Sequence, residues 1–471
     1  MHILVLEAST TSAKAMLYST KEHKFQVRTK PYTGNYQDVT IHNAEHVFLD
    51  MMSVGRELAE NQSIDMIALS GTWHSLGLFD EKMHAQTPVY QWSDTRAAEI
   101  CKELRNNSEY VHRYYSKTGC MVNAVYPFFK LLKMKKDGYD LGRYRIAGQG
   151  TYNNYRMTGH HVVTACIASG SGIFNTWTGS YDADLMAELG IRSEQLGELV
   201  PYDKTFPLTE EAAHLLGVSS GIPVIPSNSD GGLNQIGAGA VADGIMTFSV
   251  GTSGAIRLST SKPILPKEPS TWCYRSPKNW LSGAATNGCC NCVDWFKEHI
   301  GLSRLSYAEL ESGCKDRADT PVFLPFLFGE RCPGWNDERN GGFFYVQPRH
   351  GLSNLYLAVQ EGVLFNLYQC YRILSDVNGQ PAHIRFSGGI LHSSQWAQMC
   401  ADIFQHELEV SENEHGSLLG GAVLAMELLG ELDDASTYQP EVSRVIRPNS
   451  KTKDLYQKKY ERYLTCYQAG F

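Results

Sequence analysis

The sequence predicts an α/β protein organised as two lobes, on three observations. At 471 residues, 42% hydrophobic and 20% charged, the chain exceeds what one core usually accommodates and suits two large domains. Residues 222–250 read as strand, helix, strand, with Asp230-Gly231-Gly at the first strand's end and Ile245–Val250 as the second. Each half of the chain also holds an apolar run ending in a hydroxyl-rich turn. Ile3-Leu-Val-Leu-Glu7 leads into Ala-Ser9-Thr10-Thr11-Ser12, and Ile245–Val250 leads into Gly251-Thr252-Ser253-Gly254.

The first of these elements continues into a second strand ending at Tyr18, which makes a hairpin. Its exposed backbone N–H groups and the hydroxyls of Thr10 and Thr11 suit phosphate oxygens, with Lys14 adding charge nearby. The spacing is not that of a Walker loop, and a polar turn without ligand fits the same residues. Next, Ile64–Ser70 and Ser75–Asp80 are buried-looking strands around Gly71-Thr72-Trp73-His74. A short strand from Pro88 then runs into Trp92-Ser-Asp94-Thr-Arg96. Strand ends are where α/β sheets place ligands. Tryptophan offers an apolar face to sugar C–H groups, and His74, Asp94 and Arg96 offer directional hydrogen bonds. Each of these residues taken alone is more often structural.

Helical patterns cover Ala97–Arg105 and Val125–Lys136, followed by an element at Thr151–Gly159 and a small-residue loop at Ala165–Gly172. Asp230 reads either as a general base or as an N-cap for the helix beside it. The lobe boundary falls near Val241–Gly244, giving lobes 1–241 and 242–471. Beyond it, Lys262–Pro269 is a proline-bearing loop, Leu355–Ile373 has helical spacing, and Lys451–Tyr463 reads as a solvated terminal helix.

Net charge is −8 with no basic run, which argues against a nucleic-acid partner. There is no leader and no run of about 18 apolar residues, so the expectation is a cytoplasmic protein with no membrane partner. Twelve scattered cysteines fit a reducing compartment, and Cys289-Cys290-Asn-Cys292 reads as buried thiols rather than a zinc site.

The order of these motifs resembles the FGGY carbohydrate kinases: the N-terminal hairpin, His74-Ser75, Trp92-x-Asp94-x-Arg96, Lys130, Asp230-Gly231 and Gly251-Thr252-Ser253. The resemblance continues through Phe323–Pro333, Gly341-Gly-Phe, Asn354–Gly362, Ser387-Gly388-Gly389, Trp396–Asp402 and Gly420-Gly421-Ala422. It implies two ribonuclease-H-like lobes, as in actin, hexokinase and the chaperone ATPases, closing over ATP and a small-molecule sugar. It further implies Asp230 as catalytic base, and Trp73, His74, Trp92, Asp94 and Gly231 at the sugar. Thr10, Thr11, Lys14, Gly251, Thr252, Ser253, Gly388 and Gly389 are implied at the nucleotide, with Gly420–Gly421 beside the adenosine. Mg²⁺ is implied near Asp230 and, through water, Glu7. Arg331 reads equally as a phosphate ligand or a structural ion pair. A homodimer is compatible with the reading.

This chain departs from the family's usual Asp-x-Gly-Thr in reading Glu7-Ala-Ser9-Thr10. The carboxylate is one methylene longer, and Ser9 carries a Cβ where glycine admits phosphates. The expected activity is phosphorylation of a terminal hydroxyl of D-xylulose, placed first because that activity is common in the family. Gluconate follows, favoured by His74-Ser75. The alternatives are another sugar kinase of the family, a sugar-independent ATPase, and a regulatory sugar- or nucleotide-binding protein whose catalysis was lost through Glu7 and Ser9.

Overall fold

The computed structural model describes residues 1–32, 38–300, 304–313, 317–411 and 415–470. Cys314, one of the twelve cysteines, lies outside them. Two mixed sheets dominate. The first is built from β1 His2–Ala8, β2 Ser12–Ser19, β3 Lys24–Pro31, β4 Met66–Gly71, β5 Phe206–Pro207 and β6 Pro223–Ser229, in the order β5-β6-β4-β1-β2-β3. The second comprises β7 Ile245–Val250, β8 Gly254–Thr260, β9 Trp272–Arg275, β10 Trp280–Thr286, β11 His383–Ser387, β12 Leu408–Val410 and β13 Arg444–Ile446, in the order β9-β10-β8-β7-β11-β12-β13.

The sheets repeat one plan. In the first, β1, β2 and β3 form an antiparallel meander, while β4 and then β6 add in parallel on the other side of β1. In the second, β7, β8 and β10 form the meander, and β11 and β12 add in parallel beyond β7. This is the α/β architecture of the actin- and hexokinase-like ATPases. Strands buried on both faces read as continuous apolar runs, and residues 3–8 of β1 are all buried.

Parallel neighbours need covered crossovers. One is supplied by α1, Ala44–Ala59, whose start is fixed by Asn43 accepting from the Glu45 and His46 amides. Sequence reading missed α1, β3 and the helix Ser108–Thr118. The segment expected as a loop from Ala165 begins instead as a short helix, Ala165–Ser169, because Thr164 Oγ1 accepts from the Ile167 amide.

Three glycines, Gly237, Gly416 and Gly420, let two helices from the two halves of the chain pair closely. Helix α2, Asp230–Gly237, lies against α3, Gly416–Leu428. A Cβ on Gly237 would collide with the Gly416 carbonyl, and one on Gly420 with the Leu233 carbonyl. Gly421 faces Val5 of β1, and Leu418, Leu419, Ala422 and Val423 join a core with Ile3, Val5 and Ala68. Helix α3 thus packs on the first sheet although it follows the expected boundary. Its glycines serve that contact: the positions a Cβ would take at Gly420 and Gly421 are filled by α2 and β1.

The terminal helix α4, Lys453–Gln468, also departs from expectation. Tyr456, Tyr460, Tyr463 and Cys466 bury one stripe of it. Lys459, 6% exposed, pairs with Glu361 at 2.6 Å and donates to Thr320 Oγ1 at 2.8 Å. Among the described residues no helix is long and apolar enough to cross a membrane.

Candidate functional site

Asp230 sits where β6 becomes α2, and the two readings of it separate cleanly. Ser229, not Asp230, is the N-cap: its Oγ accepts from the Gly232 amide at 2.9 Å. Asp230 is the first helical residue, and its Oδ1 accepts only from the adjacent Gly231 amide, at 2.7 Å. Its other oxygen has no protein partner among the described residues. Burial, and then the nearby Glu7 carboxylate, push the Asp230 carboxyl up to about 6, against the opposing pull of Arg257 and Lys14. Asp230 remains partly open to solvent, so it lies at the floor of a crowded recess.

Gly231 is required by Trp73. A Cβ there would stand 2.5 Å from the indole. Trp73 is 7% exposed, donates to the Cys166 carbonyl at 2.7 Å, and packs on Trp272 and Tyr274. Its ring therefore supports the start of α2 and the second sheet instead of offering an open face. His74 follows with φ 67° and its Nδ1 2.6 Å from the Gly170 carbonyl. A carbonyl only accepts, so Nδ1 carries the proton and Nε2 is an acceptor. Burial holds the ring neutral, with its pKa lowered to about 3.

The Trp92–Arg96 loop braces the first turn. Trp92, 38% exposed, donates from Nε1 to Thr10 Oγ1 at 3.0 Å. Asp94 is held by Arg96 at 2.7 and 2.9 Å, and the Arg96 guanidinium lies over the Tyr90 ring. Beneath them Lys130 is fully buried, donating to the Gln91 and Val125 carbonyls at 2.7 and 3.1 Å. Burial lowers its pKa to about 7. Lys130 is a loop support.

In the first turn Glu7 is 1% exposed and accepts from Lys14 and from Ser70, both at 2.8 Å. Ser9 folds its hydroxyl back onto the Ser12 carbonyl at 2.7 Å, and its amide donates to the same oxygen at 3.1 Å. Tyr32 donates to the Ser9 carbonyl at 2.6 Å, while the Thr10 carbonyl lies 2.8 Å from His42 Nε2. Thr11 is exposed at the tip. In the second turn the Gly251 amide donates to the Ser253 carbonyl at 3.0 Å and the Cys290 amide to the Gly251 carbonyl at 2.9 Å. Thr252 and Ser253 are exposed. Of the cysteine cluster, Cys289 and Cys292 are buried, and Cys290 is partly exposed.

Gly388 and Gly389 border a cavity of about 870 Å³ with Asn234, Ser249, Ser387 and Gly416. Gly388 has φ 105°, and a Cβ on it would strike the Val250 carbonyl at the end of β7. The cavity thus adjoins the second turn and has room for a nucleoside. Arg257 on β8 was missed by sequence reading, although a charged residue inside Ala-Ile-Arg257-Leu was a signal in plain view. Arg331 makes no ion pair among the described residues, which removes the structural ion pair considered for it.

Comparison with known proteins fits this arrangement. Residues 2–237 match the model of the FGGY family of carbohydrate kinases, N-terminal domain, and residues 246–428 that of the C-terminal domain. A gluconokinase from Bacillus licheniformis is 26% identical, with 99% of this chain and 96% of the relative covered. A xylulose kinase from Escherichia coli is 26% identical over 84% of this chain and 85% of the relative. Among solved structures, a gluconate kinase from Lactobacillus acidophilus superposes with TM-score 0.94 at 27% identity, covering 99% of this chain and 98% of the other.

Proposed function

The chain belongs to the FGGY family of carbohydrate kinases and is a sugar kinase, and from that premise we propose that Asp230 is its general base and that the two hydroxyl-rich turns hold the phosphates of ATP. The carrying observation is Asp230 itself, with one carboxylate oxygen unpartnered and a proton affinity raised to about 6. A base poised there is ionised at neutral pH yet basic enough to take a proton from a hydroxyl as it attacks the γ-phosphoryl group.

The acceptor is the terminal hydroxyl of a five- or six-carbon ketose or sugar acid. Relatives named for gluconate and for xylulose stand at similar identity, so likeness does not separate the two. His74 Nε2 accepts from one acceptor hydroxyl. Lys14 and the backbone amides of both turns neutralise phosphate charge, and the Ser387–Gly389 cavity receives the nucleoside. Trp73, Trp92, Asp94 and Arg96 position these groups.

The Glu7 carboxylate raises the proton affinity of Asp230, and together the two form an all-oxygen donor set of the kind that suits Mg²⁺, which takes one or two carboxylates plus substrate phosphates and keeps several waters. Asp230 and, through water, Glu7 would hold it, since both Glu7 oxygens already accept hydrogen bonds. When bound, the ion neutralises charge on the transferring phosphoryl group. The test is ADP formation by purified protein with ATP, Mg²⁺ and a sugar panel. Acceptor-dependent ADP release, lowered about 10²- to 10⁴-fold in Asp230→Asn with the melting temperature retained, supports the reading. Release that ignores the acceptor contradicts it.

A further inference from the structure

Two guanidinium groups act electrostatically on the acceptor side of the site, and among the described residues neither makes an ion pair. Arg257 projects from β8 toward the start of α2, close enough to Asp230 for their charges to interact but without an ion pair among the described residues. Its Nε is enclosed and has no hydrogen-bond partner among the described residues. Arg331 acts electrostatically on Arg257, on His74, and on Tyr126 and Tyr274, whose hydroxyls meet at 2.7 Å. Both cations therefore act on the aromatic wall that carries His74.

Neighbouring like charges repel, and a buried donor without a partner is costly. Arg257 is also the wrong residue for a neutral ligand: a guanidinium is always charged and matches a carboxylate with paired donors. Asp230 cannot serve as its counter-ion without ceasing to be an accessible base. A ligand carboxylate answers both cations at once, whereas a neutral ketose leaves them unpaired.

We propose that Arg257, together with Arg331, forms a carboxylate-reading subsite, so that the acceptor is a linear sugar acid and not a neutral ketose. This rests on the kinase reading above and reverses the order in which the sequence placed D-xylulose and gluconate. The carboxylate end of the acceptor lies against the guanidinium pair, its middle hydroxyls meet His74, and the far terminal hydroxyl reaches Asp230.

Steady-state kinetics on the full chain with ATP and Mg²⁺ test it, using D-gluconate, its carboxylate-free counterpart D-glucitol, and D-xylulose. The expected result is a kcat/KM for D-gluconate about 10- to 100-fold or more above either neutral acceptor. In Arg257→Gln the KM for D-gluconate rises about 10- to 100-fold, D-glucitol changes by less than about two-fold, and the KM for ATP is unchanged. Arg257→Lys recovers part of the loss. Preference for D-xylulose overturns the proposal, as does an equal loss on all acceptors or a raised KM for ATP, which would place the guanidinium on phosphate. If Arg257→Gln does not fold, Arg331→Gln carries the same comparison. Calorimetry with D-gluconate and D-glucitol separates this inference from the kinase reading. Carboxylate-selective binding without transfer to any acceptor sinks the kinase reading and keeps the subsite; unselective binding sinks the subsite.

Discussion

The two turns that flank Asp230 occupy the same place in their sheets, after the first strand of a meander, yet they are built differently. The Ser9–Thr11 turn is charged and tied down. Glu7 and Lys14 pair at its base, and Tyr32, His42 and Trp92 reach it from three other segments. The Gly251–Ser253 turn carries no charge and is closed by its own backbone and the Cys290 amide. A shared fold thus supplies two backbone cradles, and the sequence places charge in only one of them, the one whose carboxylate acts on Asp230.

That asymmetry orders the expected effects. Asp230→Asn should lower kcat by about 10²- to 10⁴-fold. The folded pKa of Asp230 is raised, so its contribution to stability is fullest below about 4 and is lost as pH climbs toward 6. The variant should therefore melt no lower than the native protein above pH 6, which calorimetry checks.

Lys14→Met, on the charged turn, should raise the KM for ATP about 10- to 100-fold, the loss of a charge-assisted contact. Thr252→Ala, on the neutral turn, should raise it only about two- to ten-fold. Equal effects would erase the distinction between the turns.

The pH profile sharpens the comparison further. Protonated Asp230 cannot accept a proton, so kcat/KM should fall below an apparent pKa near 6. Glu7→Gln removes a charge that raises this value, and the acid limb should move to lower pH. Smallest for chemistry but clear for stability, Gly237→Ala should cost about 1–3 kcal/mol by crowding the Gly416 carbonyl, while Gly251→Ala, whose Cβ meets only the Ser253 carbonyl at an unstrained 3.9 Å, should leave the melting temperature unchanged.

Local patterns made part of this molecule legible. The β1–β2 hairpin and the β6-α2-β7 passage follow from apolar runs punctuated by glycine and hydroxyl residues, and both hold in the structure. What escaped depends on partners distant in sequence. Tyr456, Tyr460 and Tyr463 look like a polar surface until Glu361 and Thr320 meet Lys459. Gly420 and Gly421 give no sign in the sequence that α2 and β1 fill the space a Cβ would take. Ser9 looks like an obstruction until its hydroxyl turns back onto Ser12, in a backbone conformation that does not demand glycine.

The most direct measurement is a crystal structure with a non-hydrolysable ATP analogue, Mg²⁺ and D-gluconate bound together. The account predicts triphosphate between the Ser9–Thr11 and Gly251–Ser253 turns and a terminal hydroxyl about 2.6–3.2 Å from Asp230. Phosphates lying away from either turn, or an acceptor with no hydroxyl in reach of that carboxylate, would contradict it.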